Sequence, residues 1–266
     1  MNIKVAFFDV DGTIVDNHSK QNQSSDMEIV PQSTIEALRL LKEKGITPFI
    51  ATGRSPFMIE SLLEGLSIDS YICTNGQYAV MHNQVMYEAP YKKELLDRIV
   101  EIASQNNVPL LWMPKTHYIL SGEHQEFLLE ALKNMNLPEP LIETGMKSTN
   151  DKIYQMVAGV TVENEHIFYP LEEVRVVRWQ PKGVDLLPCT GSKATAILAI
   201  LEKLGLGPEQ AIAFGDGLND IEMLQAVGCG VAMGNAHEEL KKHADYVTKP
   251  VSEDGIYYAC KELGLI

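Results

Sequence analysis

Apolar residues in the first third of the chain follow two spacings, one typical of amphipathic helices and one of buried strands. Ile35, Leu38 and Leu41 recur at helical spacing and Gly45 follows as a stop, whereas Ile46–Ala51 is a short, mostly apolar run. The pattern predicts strands at 3–8, 46–51 and 69–73 and helices at about 32–44 and 55–65. Strands that alternate with helices are typical of a parallel sheet with crossover connections.

The last third of the chain repeats this rhythm. Ala194, Ile197, Leu198 and Leu201 share one helical face, with Ser192 as the candidate N-cap and Gly205 as the stop. The predicted elements are a helix at 193–204, strands at 211–214, 228–232 and 245–248, and a helix from about 219. The two α/β parts of the chain are therefore expected to complete one sheet.

The middle of the chain has a different pattern, with short extended runs separated by turn residues. Asn75-Gly76 and His82-Asn83 separate short extended runs, and Met156–Val162 and Val174–Trp179 are typical of an antiparallel sheet. We therefore predict an α/β fold in which a parallel-sheet core domain at 1–80 and 189–266 carries an inserted α+β domain at 81–188.

Composition narrows the class of ligand. The 266 residues are 45% hydrophobic, enough for a sizeable core, and the formal net charge of -14 argues against a nucleic acid or an anionic membrane as partner. The chain shows no secretory signal and no apolar run of membrane-spanning length, so we expect a soluble cytoplasmic protein with a small ligand. The four cysteines are far apart and predict free thiols in the core.

Acidic residues follow two of the predicted strands directly. Asp9 and Asp11 come after the apolar run Val5–Phe8, and Asp216 follows the strand at 211–214. In open parallel sheets the ligand crevice lies beyond the carboxyl ends of the strands, so these acids are expected to meet there. Carboxylates without nearby His or Cys favour a hard cation, most simply Mg2+.

Three further residues fit the binding of a phosphate group, and the interpretation of three others is open. Thr52 and Gly53 follow the second strand with a hydroxyl and free backbone N–H groups, and Lys193 begins a helix. Arg54 has two open interpretations, contact with a substrate or contact with solvent. Asn219 and Asp220 also have two: they belong to the site, or they cap the helix that starts there.

The ordered set Asp9-x-Asp11-Gly12-Thr13, Thr52-Gly53, Lys193 and Gly215-Asp216-x-x-Asn219-Asp220 resembles the four motifs of the haloacid dehalogenase superfamily. The large insert, with Ala51-Thr52-Gly53-Arg54 and Thr74-Asn75-Gly76 before it, is similar to the Cof-type sugar phosphatase branch with a type IIB cap.

This resemblance implies a Rossmann-like core and a role for each motif residue. Asp9 would be the nucleophile that forms an aspartyl-phosphate, and Asp11 the acid to the leaving group and then the base to water. The implied Mg2+ ligands are Asp9, the backbone carbonyl of Asp11, and Asp216. The implied phosphate-binding residues are Thr52, Gly53, Lys193 and Asn219, with Asp220 in support.

The implied activity is that of a Mg2+-dependent phosphomonoesterase acting on a small phosphorylated metabolite. The inserted domain would close over the core as a cap, exclude water and select the substrate. A sugar phosphate and a phosphorylated cofactor or precursor both remain open as substrates. A phosphomutase with the same intermediate, or a phosphometabolite-binding regulator without turnover, are the alternatives, and the oligomeric state stays open.

Overall fold

A computed structural model describes residues 2–16, 25–134, 137–145 and 151–266. Contacts between backbone positions divide the chain into two compact units. The larger unit comprises Met1–Arg54, Ile59–Glu88 and Ser192–Ile266, and the smaller comprises Ser55–Met58 and Ala89–Gly191.

The described residues contain strands and α-helices along their whole length. The strands are β1 (Val5–Phe8), β2 (Thr47–Ala51), β3 (Tyr71–Cys73), β4 (Tyr78–Met81), β5 (Gln84–Glu88), β6 (Leu110–Met113), β7 (Ile119–Ser121), β8 (Leu141–Ile142), β9 (Gln155–Ala158), β10 (Val174–Gln180), β11 (Gly183–Pro188), β12 (Ala211–Gly215), β13 (Cys229–Ala232) and β14 (Tyr246–Val247). The helices are α1 (Gln32–Glu43), α2 (Glu60–Leu66), α3 (Lys93–Gln105), α4 (Glu126–Asn134), α5 (Lys193–Leu204), α6 (Ile221–Gln225), α7 (Glu238–Lys241) and α8 (Gly255–Glu262).

One sheet runs through the larger unit in the order β14-β13-β12-β1-β2-β3-β4-β5. The pairs from β14 to β3 are parallel, and β4 and β5 add an antiparallel hairpin at one end. Strand β12, from the last third of the chain, lies directly beside β1, with Phe8 opposite Phe214. The predicted parallel-sheet core is confirmed.

Hydrophobic burial explains the elements of this sheet. All four residues of β1 are buried, as expected for a strand covered on both faces. Helix α1 buries Thr34, Ala37, Leu38 and Leu41 along one stripe, and Ile35, also predicted on its apolar face, is partly buried. Helix α5 begins and ends where the sequence predicts, because Ser192 caps its start and Gly205 ends it in a left-handed conformation.

The smaller unit has a sheet of its own, in the order β10-β11-β9-β6-β7-β8. Its pairs are antiparallel except for β7 with β8. Buried residues on its two faces, such as Trp112, Phe168 and Leu120, form separate apolar clusters. The predicted antiparallel sheet of the insert is confirmed, whereas a role for this unit in selecting the substrate stays a prediction.

Four local expectations differ from the structure. Leu198, predicted to share the apolar face of α5, is 48% exposed. Helix α2 begins at Glu60 rather than near 55, because Phe57 before it packs on Tyr118 in the smaller unit, with ring centroids 5.0 Å apart. Residue 81, predicted as a domain boundary, lies in the β4–β5 hairpin of the larger unit. The prediction that every cysteine fills the core is wrong for Cys189, which is exposed.

No helix in the described part of the chain has both the length and the apolar character needed to cross a bilayer.

We expect the substitution Phe49→Ala to lower the free energy of unfolding by about 3–5 kcal/mol, because it leaves a cavity in the core. Phe49 is fully buried in β2, and its ring centroid lies 5.1 Å from that of Phe7. Urea denaturation followed by circular dichroism measures the loss. Val85→Ala, at a half-exposed position of β5, is the control and should cost less than about 1 kcal/mol. Equal losses for the two variants would contradict the described core.

Candidate active site

The acids that follow β1 and β12 meet at one edge of the sheet. Asp9 comes directly after β1 and Asp216 directly after β12, and these two strands are parallel neighbours. The ladder between them extends to the acid itself, since the backbone N–H of Asp9 donates to the carbonyl of Phe214 at 3.0 Å. The structure therefore brings Asp9 and Asp216 together, although the two residues are far apart in sequence.

Three carboxylates form a compact cluster at this edge. One oxygen from each of Asp9, Asp216 and Asp220 lies within 4.8 Å of the others. Asp220 is fully buried, and Asp9 is 7% exposed. So close a set of acids repel one another unless cations lie among them.

Lys193 supplies one cation. It is the first residue of α5 and is 1% exposed. Its Nζ donates to Asp9 Oδ1 at 2.5 Å and to Asp220 Oδ1 at 2.7 Å. Burial opposes the charge of this ammonium group, but the two carboxylates outweigh that effect and raise the pKa of Lys193. Lys193 is therefore a charged partner of the cluster and not a solvated lysine at a helix start.

Lys193 does not compensate all of the negative charge, and the pKa values of Asp9 and Asp216 are raised. Burial raises the pKa of Asp9 to about 8, with the Asp220 carboxylate adding to the shift and Lys193 opposing it. Burial and the Asp220 carboxylate also raise the pKa of Asp216 to about 6, against a hydrogen bond from Thr13. A divalent cation beside Asp9 and Asp216 would compensate this excess of negative charge.

Both carboxylate oxygens of Asp220 accept hydrogen bonds from other groups of the protein. While Oδ1 accepts from Lys193, Oδ2 accepts from the backbone N–H of Asp216 at 3.1 Å and of Gly217 at 3.0 Å. These bonds shape the loop that carries Asp216. Asp220 therefore bonds to Lys193 and to the Asp216 loop with both oxygens, whereas Asp9 and Asp216 retain oxygen lone pairs suited to a hard cation.

Asp216 is also fixed by the loop after β1. The Thr13 hydroxyl donates to Asp216 Oδ1 at 3.0 Å. Gly12 has φ +87°, and a Cβ at that position would overlap the Asp216 carboxylate, so only glycine permits this approach. Asn235 donates to the Gly12 carbonyl at 2.8 Å. No sequence pattern points to Asn235, because its partner is a backbone atom 223 residues away.

Asp11 faces a different partner. Its carboxylate accepts two bonds from Arg54, at 2.9 Å from Nε and 2.7 Å from Nη2, and Arg54 also pairs with Asp26. The sequence left Arg54 open between substrate and solvent, but in the structure its side chain holds Asp11. A two-bond Arg–carboxylate pair fixes both the position and the plane of the carboxylate.

The other residues predicted to bind phosphate, besides Lys193, lie beyond β2 and β12. Thr52 is buried, and its hydroxyl accepts from the backbone N–H of Arg54 at 3.1 Å. Asn219 is exposed, and its amide Nδ2 lies 3.5 Å from Asn75 Oδ1. Since β2 and β12 flank β1 in parallel, Thr52, Gly53 and Asn219 follow strand ends on either side of Asp9.

The chain matches the sequence model of the haloacid dehalogenase-like hydrolase family over residues 6–260. It is 39% identical to the Bacillus subtilis (strain 168) protein "Putative phosphatase YkrA" over 266 residues, which cover 100% of both chains. The fold is similar to the crystal structure of a hypothetical protein from Geobacillus kaustophilus HTA426, with TM-score 0.90, 42% identity and coverage of 99% of this chain and 100% of the other. It is also similar to the HAD subclass IIB sugar phosphatase BT4131, with TM-score 0.82, 31% identity and coverage of 99% and 100%.

We expect the affinity of the metal-free protein for Mg2+ to fall as the pH is lowered. Metal binding needs ionised carboxylates, and the pKa values of Asp9 and Asp216 lie near 8 and 6. Below the lower value, each pH unit should weaken binding by at least about tenfold, because a proton must leave for the ion to enter. The measurement is the Mg2+ concentration needed for thermal stabilisation, taken between about pH 5 and about pH 8.

Asp69→Asn is the matched control, since Asp69 is exposed and pairs with His82. It should leave this pH dependence unchanged, whereas Asp216→Asn should weaken Mg2+ binding at every pH. The same Mg2+ affinity at both ends of the pH range would contradict the assignment of these acids as ligands.

Proposed function

The chain belongs to the haloacid dehalogenase-like hydrolase family and is a phosphatase, and from that premise we propose that it is a Mg2+-dependent phosphomonoesterase. It would hydrolyse a small phosphorylated metabolite through a phosphoryl group carried on Asp9. The observation that supports this most directly is the Asp9 carboxylate at a strand end, bonded to the buried Lys193 and within 4.8 Å of Asp216.

Asp9 is placed to act as the nucleophile. It lies at the open end of β1, is almost fully buried and has Lys193 on one oxygen. A carboxylate that attacks a phosphoryl group must overcome the repulsion between two anions, and a fixed ammonium group lowers that barrier. Lys193 would bond to phosphate oxygens as the phosphoryl group arrives, without having to move from its buried position.

A metal ion fits the oxygen donors of this edge. Asp9, Asp216 and the backbone carbonyl of Asp11 would hold it, with Thr13 and Asp220 keeping the Asp216 loop in place. When bound, Mg2+ supplies positive charge that screens the attacking carboxylate from the phosphoryl oxygens. The protein contributes the spacing of the acids, which the β1–β12 pairing fixes.

Asp11 is placed to move protons. Unlike Asp9, its carboxyl group is partly exposed, and Arg54 holds it by two bonds. In the first half of the reaction Asp11 would give a proton to the leaving oxygen, and in the second half it would take one from the attacking water. The Arg54 pair suits the second role, because it fixes the position and plane of the Asp11 group that accepts the proton.

We propose a sugar phosphate as the leading substrate class. The similar structure of BT4131 is that of a sugar phosphatase, and the net charge of -14 leaves Lys193 and a metal ion to attract an anion locally. Phosphorylated cofactors or their precursors, such as pyridoxal and flavin-related phosphates, belong in the same assay panel. Release of inorganic phosphate in step with the dephosphorylated product identifies a phosphatase, since a phosphomutase releases none.

We expect Asp9→Asn to abolish turnover while the fold stays intact. An amide is a far weaker nucleophile, and Lys193 keeps its bond to Asp220. Phosphate release with Mg2+ gives the activity, and thermal melting followed by circular dichroism gives the stability. Asp69→Asn, the same change at an exposed acid, should keep wild-type activity. Near-wild-type turnover in Asp9→Asn would refute the nucleophile assignment.

Asp11→Asn should separate the two halves of the reaction. With an alkyl phosphate, whose leaving oxygen needs a proton, kcat should fall by about 100- to 10,000-fold. With p-nitrophenyl phosphate the leaving group needs little help, so we expect a burst of nitrophenolate equal to the enzyme concentration, followed by slow turnover. Rapid-mixing absorbance measures the burst. Equal losses for both substrates without a burst would contradict the proton-transfer role.

A further inference from the structure

A strained turn follows β3 in the larger unit. Thr74, Asn75 and Gly76 all have positive φ, at 50°, 52° and 94°. Residues other than glycine rarely adopt this left-handed backbone conformation, and a β-branched residue such as Thr74 is a clear outlier there. Position 76 accepts only glycine, because a Cβ there would overlap the backbone carbonyl of Ser192 beside Lys193.

Neighbouring loops hold the turn in this conformation. The backbone N–H of Thr74 donates to the Arg54 carbonyl at 2.9 Å, and that of Asn75 donates to the Thr52 carbonyl at 3.1 Å. Thr74 is fully buried, and within the described part of the chain its hydroxyl has no hydrogen-bond partner. Strain and a buried, unpartnered hydroxyl both cost stability. Because such costs are typical of functional sites, this turn is a candidate for a functional role.

The turn presents the side chain of Asn75 to two loops of the candidate site. Its Oδ1 accepts from Asn219 Nδ2 at 3.5 Å. On the other side it lies against Gly53, where a Cβ would stand 3.1 Å from both the Oδ1 and the Nδ2 of Asn75. Gly53 and Asn219 are both predicted to bind phosphate, and Asn75 lies between them.

This contact spans a wide gap in the sheet. In the order β12-β1-β2-β3, the ends of β12 and β3 are three strand spacings apart, about 14 Å. Asn219 follows β12 and Asn75 follows β3, so their bond joins loops that the sheet itself keeps apart. The loops after β12, β2 and β3 are thereby linked on the side where Asp9 lies.

We propose that Asn75 is a positioning residue for phosphate binding, which rests on the proposed function of the site. Its amide, which bonds to Asn219 and lies against Gly53, would hold the two at the separation that a phosphate group needs. A neutral amide suits this place, because it bonds to the Asn219 side chain and contacts Gly53 without adding negative charge near a dianion. Asparagine also tolerates the left-handed backbone better than most residues do.

The test compares Asn75→Gly with Asn83→Gly. Asn83 is an exposed asparagine with φ 62° in the turn between β4 and β5, so it matches residue type and backbone conformation away from the candidate site. Glycine adopts positive φ freely, so neither change should lower the melting temperature. For Asn75→Gly we expect the KM for p-nitrophenyl phosphate and the inhibition constant of inorganic phosphate to rise about tenfold, with a smaller fall in kcat.

Asn83→Gly should change neither constant. The double variant Asn75→Gly/Asn219→Ala should weaken phosphate binding less than the sum of the two single effects, because both residues act through one contact. Asn75→Asp keeps the acceptor oxygen and adds a charge, so it should raise the inhibition constant of phosphate further than glycine does. Unchanged phosphate binding in Asn75→Gly, or wild-type phosphate binding in Asn75→Asp, would overturn the proposal.

The outcome for Asn75 is separable from that for the whole site. If the wild-type protein releases phosphate and Asp9→Asn does not, but Asn75→Gly behaves like Asn83→Gly, only the role of Asn75 is refuted. If the wild-type protein neither releases phosphate nor binds inorganic phosphate in calorimetric titration with Mg2+, the proposed function fails, and the role of Asn75 fails with it.

Discussion

The buried ammonium group of Lys193 is the interaction on which the candidate site depends. It bonds to Asp9 and Asp220, so it compensates acids that come from the ends of two different strands. Without a cation at this point, three carboxylates within 4.8 Å would have to share protons or move apart. Because Lys193 begins α5, the packing of that helix against the core also sets the charge balance of the site.

The topology of the sheet explains why the site needs both ends of the chain. Strands β1 and β12 are neighbours in space, but the whole smaller unit lies between them in sequence. Pairing of β1 with β12 therefore closes a long loop, which costs chain entropy that the shared apolar core must offset. The pairing fixes the register of the two strands. Since Phe8 lies opposite Phe214, it also fixes the positions of Asp9 and Asp216, which follow the strands directly.

Much of this arrangement could be predicted from the sequence, and the reasons are local. Apolar runs that end in acids placed Asp9 and Asp216 at strand ends, and Ser192 and Gly205 marked both ends of α5. What escaped prediction depends on partners remote in sequence: the Arg54–Asp11 pair, the Asn235 bond to Gly12, and the Asn75 contact with Asn219. These need the lateral order of the strands and the left-handed turns, which hydrophobic spacing does not encode.

Lys193 and the proposed metal ion would differ in permanence. Lys193 is part of the chain and pairs with Asp9 and Asp220 within the fold, whereas a bound metal ion exchanges with solvent. Structural zinc sites, in contrast, couple loss of the ion to loss of the fold. If the proposed function holds, the covalently tethered charge would separate the two, so a cell short of magnesium would keep a folded protein that regains its activity when the ion returns.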